Sequence, residues 1–307
     1  MPDPKRQSLS STEVPALFGS SPYTSKWLLF QEFTGRFKAE RKADNRMDWG
    51  RRMQPLILSA IADELRLEVR PNANDDYVRH GQLGCTRDAE IICPDRGPGI
   101  VEVKCCFDYG VWMRDWGGGS EPPRHNELQI QEQMFVGDGF TSYGWGILGV
   151  WIAGDVKLFE RRPIPKLWTA MQDGAKQFFD DVANGNEPDP SGMIAELPVL
   201  KELYPPAKGN VLDATQWADA EAWAQKVYDL EWARGEASGF EKMQKRLAAE
   251  IQAKVGDAET INFLHGITIK RKLVERKGYE VKPSSYITLS PYVPDDVPLG
   301  RLATDAT

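Results

Sequence analysis

Hydrophobic residues recur at intervals of three and four in residues 48–68, a spacing typical of one buried face of an amphipathic helix. That face would consist of Leu56, Ile57, Ala60, Ile61, Ala62 and Leu65. Pro55 fits this helix only near its start or at a kink, because proline donates no backbone hydrogen bond. Further helices are predicted over residues 126–137 and 163–185, and two short ones between residues 9 and 35.

Apolar runs predict strands at residues 67–70, 83–93 and 99–106, and a further pair over residues 143–154 and 155–164. The turn-forming sequence PDRGP separates the second and third runs, so we expect these two strands to pair as neighbours. Strands grouped between helices predict an α/β fold in which helices cover a central sheet.

The C-terminal part of the chain has a different pattern. Residues 211–255 predict a charged helical pair broken near a glycine, and residues 265–290 predict a hairpin rich in Lys and Arg. We therefore expect two domains, a core over residues 1–205 and a helical and hairpin extension over residues 206–307.

Composition and charge limit the classes of function. Apolar residues make up 41% of the chain, which is too many for a disordered protein, and no run of about 18 apolar residues predicts a membrane span. The N-terminus lacks the apolar segment of a signal peptide, so a cytoplasmic location is expected. A net charge of −7 argues against a protein that coats nucleic acid passively. It is compatible with an enzyme that gathers carboxylates around metal ions.

Two charged residues interrupt the apolar strand GIVEVKCC. Glu102 and Lys104 share one face, and Asp88 lies 14 residues before Glu102 on the preceding strand. Two neighbouring carboxylates repel each other unless a cation lies between them, and hard oxygen ligands favour Mg²⁺ or Mn²⁺ over zinc. Lys104 would then orient a metal-bound water or stabilise developing charge. From spacing alone, an exposed face of salt bridges stays an open alternative.

The order of four segments along the chain favours the catalytic interpretation. They are SSTEVPALFGSSPYTS, RDAEI, IVEVKC and ELQIQEQM. Over roughly residues 9–185 this order resembles the YqaJ-like viral recombinase branch of the PD-(D/E)xK nuclease superfamily, which includes lambda exonuclease. The resemblance implies an α/β, restriction-endonuclease-like core with a central mixed sheet flanked by helices. The chain after about residue 210 matches only loosely.

The resemblance also implies roles for individual residues. Asp88 and Glu102 become the metal-binding carboxylates, and the carbonyl oxygen of Val103 becomes a further ligand of Mg²⁺, for which Mn²⁺ may substitute. Lys104 becomes the lysine next to the attacking water. Gln129 becomes the helix glutamine that helps to place the nucleophile and the phosphate. On a helix, Gln133 is its same-face companion, whereas Gln131 points about 200° away.

One position departs from the family pattern. Gln54 stands where the family carries a glutamate that binds metal, so this ligand contributes an oxygen and no negative charge. Three alternatives stay open: one tightly held metal, a substitute carboxylate, or an inactivated variant. Glu64 is a poor substitute because it lies about 15 Å further along the helix.

Substrate contacts are implied by the same resemblance. Arg6, Ser11 and Thr12 occupy positions where the branch holds the terminal 5′-phosphate of DNA, and a helix N-terminus with hydroxyl groups suits a phosphate. Ser10 or Ser11 as a simple N-cap is the alternative. Arg51 and Arg52 are candidates for contacts with backbone phosphates.

Aromatic and histidine residues near the expected site are less informative. Trp112 and Trp116 lie in a predicted loop at its rim, where they would stack on an unpaired base or simply pack. His80 and His125 have no partner that the sequence identifies and receive no role.

These patterns together predict a Mg²⁺-dependent DNA exonuclease of phage-type recombination that resects double-strand ends by means of a metal-activated water. The resemblance further implies a ring-like homo-oligomer, a single-strand annealing protein as partner and a bacterial cytoplasm as location. The alternatives are an endonuclease or nickase of the same fold, and a catalytically weakened DNA-binding homologue that Gln54 would explain.

Overall fold

The computed structural model describes residues 6–38, 45–72, 76–235, 241–276 and 284–292. Two compact units divide the chain, residues 1–188 and residues 189–307. The expected functional division between residues 205 and 206 stays a prediction. In the described ranges, no helix is both long enough and apolar enough to span a membrane.

The first unit contains six helices and eight strands within its described residues. The helices are α1 (Val14–Leu17), α2 (Lys26–Phe33), α3 (Asn45–Leu65), α4 (Tyr109–Asp115), α5 (Arg124–Val136) and α6 (Pro165–Asn184). The strands are β1 (Leu9–Ser10), β2 (Glu68–Pro71), β3 (Tyr77–His80), β4 (Leu83–Thr86), β5 (Ala89–Cys93), β6 (Gly97–Cys106), β7 (Gly146–Ile152) and β8 (Asp155–Arg161).

Five of these strands form the central sheet, in the order β2-β5-β6-β7-β8. The β6 and β7 strands run parallel and the other neighbours run antiparallel. Ile57 and Ile61 of α3 pack on one face with Val101. On the other face, Ile130 of α5 and Trp112 of α4 pack in a second cluster. The predicted α/β class, a mixed central sheet flanked by helices, is therefore confirmed.

The prediction of one continuous strand over residues 83–93 was wrong. The chain leaves extended pairing at Arg87 and Asp88, so β5 joins the central sheet while β4 forms a separate three-stranded sheet in the order β1-β4-β3. Arg87 donates to the carbonyl oxygen of Gly137 at 3.2 Å and holds the break open. Apolar residues alternate on both sides of the break, and Arg87 is the position that interrupts the alternation.

Helices α1 and α3 differ in detail from expectation. No side chain caps α1; instead, the backbone N–H of Ser10 donates to the Glu13 carboxylate at 2.8 Å, so neither predicted serine cap is present. Pro55 lies inside α3, because this helix begins at Asn45, before the predicted start. Leu56, predicted to be buried, is 65% exposed. The buried face of α3 consists of Ile57, Leu58 and Ile61.

Within its described residues, the second unit combines three α-helices with a four-stranded sheet in the order β12-β11-β10-β9. Its elements are α7 (Leu197–Leu203), β9 (Ala207–Asp213), α8 (Ala220–Gly235), α9 (Glu241–Val255), β10 (Ala258–Asn262), β11 (Thr268–Arg276) and β12 (Ser284–Tyr292). The predicted helical pair and hairpin are confirmed, although residues 277–283 of the hairpin lie outside the described ranges. The β9 and β10 strands were not predicted.

Candidate active site

The end of β5 determines where Asp88 lies. Pairing between β5 and β6 stops at Ala89 and Val101, so β6 continues beyond its neighbour on this side. Asp88 turns out of the sheet there, and its Oδ2 accepts a hydrogen bond from the backbone N–H of Val103 at 2.7 Å. The carboxylate thus replaces the missing strand partner, and the backbone fixes its position next to β6.

Glu102 and Lys104 occupy the same face of β6, as the alternation predicted. Glu102 is 4% exposed, and its Oε1 accepts from the ammonium of Lys104 at 2.5 Å. Val101 and Val103 point to the opposite face and belong to the apolar cluster with α3. The strand therefore buries one ion pair against α5 and its valines against α3.

Two glutamines of α5 complete the surroundings of Glu102. Gln129 donates to Oε1 and Gln133 donates to Oε2, each at 2.7 Å, because residues four apart share one face of a helix. Gln131 instead donates to the Glu127 carboxylate at 3.0 Å, away from the site. Both oxygens of the buried carboxylate are therefore held by neutral donors from a single helix.

Gln54 reaches the site from α3. Its Nε2 donates to Oδ1 of Asp88 at 3.0 Å, which leaves the amide carbonyl as the group available to a further ligand. The sequence departure from glutamate thus has a structural consequence: a neutral donor, rather than a third carboxylate, faces Asp88. This contact orients Asp88 from the side opposite Val103.

The site contains two carboxylates and one ammonium group, so the negative charges are not fully balanced. Burial, and after it the charge of Glu102, raise the pKa of Asp88 to about 8, although Lys104 and the Val103 N–H act in the other direction. Burial alone would lower the pKa of Lys104, but Glu102 and Asp88 outweigh it and the pKa rises. With all three groups ionised, the site carries one excess negative charge.

The donors present fit a hard divalent cation. The carboxylates of Asp88 and Glu102, the amide oxygen of Gln54 and the carbonyl of Val103 are all oxygen ligands of the kind that Mg²⁺ binds. The raised pKa of Asp88 shows that the carboxylate pair lacks positive charge, which a cation would supply. Among the described residues, no group of three or more His, Cys, Asp or Glu side chains could hold a metal. The substitute carboxylate considered for Gln54 is therefore not found there.

The predicted phosphate residues fall into two groups. Ser11 is 3% exposed and its Oγ accepts from Gln133 Nε2 at 3.4 Å, which joins it to the buried network around Glu102. Thr12 is exposed and pairs with the Ser10 hydroxyl at 3.1 Å. Arg6 is exposed and lies over the ring of Phe33. Their roles in binding DNA stay predictions.

Arg51 and Arg52 are exposed on α3, and the guanidinium of Arg52 lies 5.7 Å from the ring centre of Trp49. Neither residue takes part in the hydrogen bonds around Asp88. Their predicted contacts with backbone phosphates remain untested. Trp112 and Trp116 are each 5% exposed and stack on one another, so the interpretation as packing residues holds for both.

Two residues near the site received no role from the sequence. The rings of Tyr23 and His125 meet edge to face with centroids 5.9 Å apart. The charge of Lys104 acts on the pKa of His125, and Tyr23 acts on the pKa of Lys104, so the pair lies within electrostatic range of the ammonium. His125 stands four residues before Gln129, and this spacing is the signal that could have indicated it.

Comparison with solved structures gives distant relatives. The alignment with an alkaline exonuclease from Laribacter hongkongensis covers 59% of this chain and 91% of that protein, with 14% identity and a TM-score of 0.48. Its complex with dAMP gives 15% identity and a TM-score of 0.46, covering 64% and 93%. A phage-related exonuclease from Haemophilus somnus gives 11% identity and a TM-score of 0.45, covering 58% and 96%. No curated protein matches the chain.

The family model for the YqaJ-like viral recombinase domain matches residues 3–142. That range contains Gln54, Asp88, Glu102, Lys104 and Gln129, every member of the predicted catalytic set. The resemblance carried by the four sequence segments is therefore confirmed. Through residues 3–142, which hold the whole carboxylate, lysine and glutamine constellation, this chain is similar to the YqaJ-like viral recombinase family.

Proposed function

We propose that the protein is a Mg²⁺-dependent DNA exonuclease that resects one strand of a double-stranded end, as phage-type recombination requires. The observation that carries this proposal is Asp88, held by the Val103 N–H, next to a Glu102 that Lys104 and two α5 glutamines hold, within the range that matches the YqaJ-like domain. An exposed face of salt bridges does not describe Glu102, which is 4% exposed.

The chemistry would be hydrolysis of a phosphodiester by water. Asp88, Glu102, the amide of Gln54 and the carbonyl of Val103 would hold Mg²⁺, with Mn²⁺ as a substitute. When bound, the cation lowers the pKa of a water and offsets charge on the phosphate. Lys104, bonded to Glu102, would orient the attacking water and stabilise the charge that develops on phosphorus oxygens.

The glutamines have a positioning role in this scheme. Gln129 and Gln133 hold Glu102 in one orientation through bonds to both of its oxygens. Because the donors are neutral, they limit the motion of the Glu102 carboxylate and leave its negative charge available to the metal. Gln129 would also help to place the phosphate. The similarity to the family motivates the further proposals of a ring-like homo-oligomer, a single-strand annealing protein as partner, and action in a bacterial cytoplasm.

Digestion of end-labelled linear duplexes, with and without a 5′-phosphate, tests the proposal. The wild-type protein should release labelled nucleotides in Mg²⁺ and none in EDTA, and Lys104→Ala should lose this activity. Lys157→Ala is a matched control, because exposed Lys157 lies in the same row of the sheet as Lys104, two strands away. Full activity of Lys104→Ala would contradict the assignment. Cleavage of closed circular DNA would favour the endonuclease alternative.

The contact of Gln54 with Asp88 favours one other candidate, a weakened nuclease that binds DNA ends with little turnover. The site keeps two carboxylates for its metal where the family has three, and metal affinity falls with ligand charge. DNA binding without Mg²⁺-dependent digestion by the wild-type protein would support that candidate.

A further inference from the structure

One face of α5 continues beyond the two glutamines that hold Glu102. His125, Gln129 and Gln133 follow each other at intervals of four residues, so all three point toward β6. His125 is half-buried at the N-terminal end of this face. Burial, and then the charge of Lys104, lower the pKa of His125 while Asp115 acts in the opposite direction. A neutral imidazole therefore extends the face toward the ammonium of Lys104.

Tyr23 reaches the same place from a fixed turn. The Oγ of buried Ser21 accepts from the backbone N–H groups of Tyr23 and Thr24, both at 3.2 Å. Ser25 then caps α2 by accepting from the N–H of Leu28 at 3.1 Å. These bonds immobilise the turn, yet the Tyr23 side chain is 75% exposed. An aromatic ring held rigidly in water has surface left for a ligand.

The two rings form a corner within electrostatic range of Lys104. Their planes are perpendicular, so a flat group stacked on Tyr23 would also lie perpendicular to the His125 ring. Exposed aromatic rings bind unpaired nucleotides by stacking, and this stacking accepts any base because every base has a π-face. A terminal nucleotide would meet Lys104 with its phosphate and the aromatic corner with its base.

We infer that Tyr23 stacks on the base of the terminal nucleotide and that His125 is a positioning residue that holds the Tyr23 ring edge-on. The inference rests on the proposed DNA substrate and deepens it, because it places the recognition of an unpaired base at the GSSPY turn. Stacking makes no base-specific hydrogen bonds, so the enzyme would accept all four terminal bases alike.

The test is a binding measurement in EDTA, where no digestion occurs. Fluorescence anisotropy would compare a labelled linear duplex carrying an intact terminal nucleotide with the same duplex carrying an abasic one. Tyr23→Ala should weaken binding of the intact end about tenfold, within the range for one base–aromatic stack, and should leave the abasic end unchanged. Tyr23→Phe should bind like the wild type. His125→Ala should give part of the loss, and His125→Phe should restore it.

Phe140→Ala is the matched control. Phe140 is 92% exposed and lies just beyond the C-terminus of α5, at the opposite end of the helix from His125, so its removal should affect neither duplex. Equal weakening of both duplexes by Tyr23→Ala, or no weakening, would overturn the inference. Because binding is measured without metal, wild-type protein that discriminates the abasic end but digests no DNA in Mg²⁺ would refute the proposed nuclease and leave the stacking role supported.

Discussion

Removing the charge of Asp88 should make the metal-free protein more stable while it destroys activity. In Asp88→Asn the side chain keeps its shape and still accepts one of the two hydrogen bonds, from Val103 N–H or from Gln54. The lost hydrogen bond costs about 1 kcal/mol. What the substitution removes is a carboxylate that burial and Glu102 make costly to ionise.

The size of this effect follows from linkage. The pKa of Asp88 rises from 3.8 to about 8 on folding, so between these values the native state binds more protons than the unfolded chain. Stability is therefore lost as the pH rises through this window, by about 4 kcal/mol between pH 5 and pH 9. The asparagine does not titrate. The free energy of unfolding of the variant, relative to that of the wild type, therefore rises by this amount between pH 5 and pH 9. At pH 9 the gain exceeds the cost of the lost hydrogen bond.

Urea unfolding in EDTA at pH 5 and pH 9 measures the effect. The free energy of unfolding of Asp88→Asn should be close to that of the wild type at pH 5 and clearly higher at pH 9. Added Mg²⁺ should stabilise the wild type and have little effect on the variant. Asp155→Asn, the same substitution at an exposed aspartate of the same sheet, is the matched control. A gap that stays constant between the two pH values would refute the reasoning.

Three other substitutions test Gln54, Gln133 and Glu132. Gln54→Glu should lower the Mg²⁺ concentration for half-maximal digestion, because it replaces a donor to Asp88 with a third carboxylate; an unchanged metal requirement would contradict this. Gln133→Leu should lower kcat by about tenfold with folding intact, as expected for the loss of a hydrogen bond to a charged group, and unaltered kinetics would argue against it. Glu132 is fully buried and its pKa lies well above the ordinary value. In urea unfolding, Glu132→Gln should therefore raise the free energy of unfolding at pH 9 and not at pH 5. A lower free energy of unfolding at both pH values would count against a neutral Glu132.

The face of β6 that carries Glu102 and Lys104 was predictable because its signals are local. Strand alternation places Glu102 and Lys104 together, and helical spacing places Gln133 beside Gln129. The pairing of β5 with β6 also followed from the short turn between them. These relations depend on a few neighbouring residues, which a single sequence contains.

Features that depend on distant parts of the chain could not be predicted. β1 has two residues and too short a pattern to be recognised, yet it pairs with β4 and helps to divide residues 83–93 between two sheets. The corner of Tyr23 and His125 joins an N-terminal turn to a helix about 100 residues later. Leu56 has the spacing of a buried residue, but none of the elements in the described ranges covers it.

The break at Arg87 and Asp88 makes this short segment intolerant of changes in length. Asp88 belongs to neither sheet, and its distance from Val103 is set by two registers at once, that of β4 with β1 and β3 and that of β5 with β6. Deletion of one residue between Thr86 and Ala89 would move the carboxylate to the opposite face of the chain, although both sheets could still form. Variation in length among related nucleases should therefore be confined to the turns outside this segment.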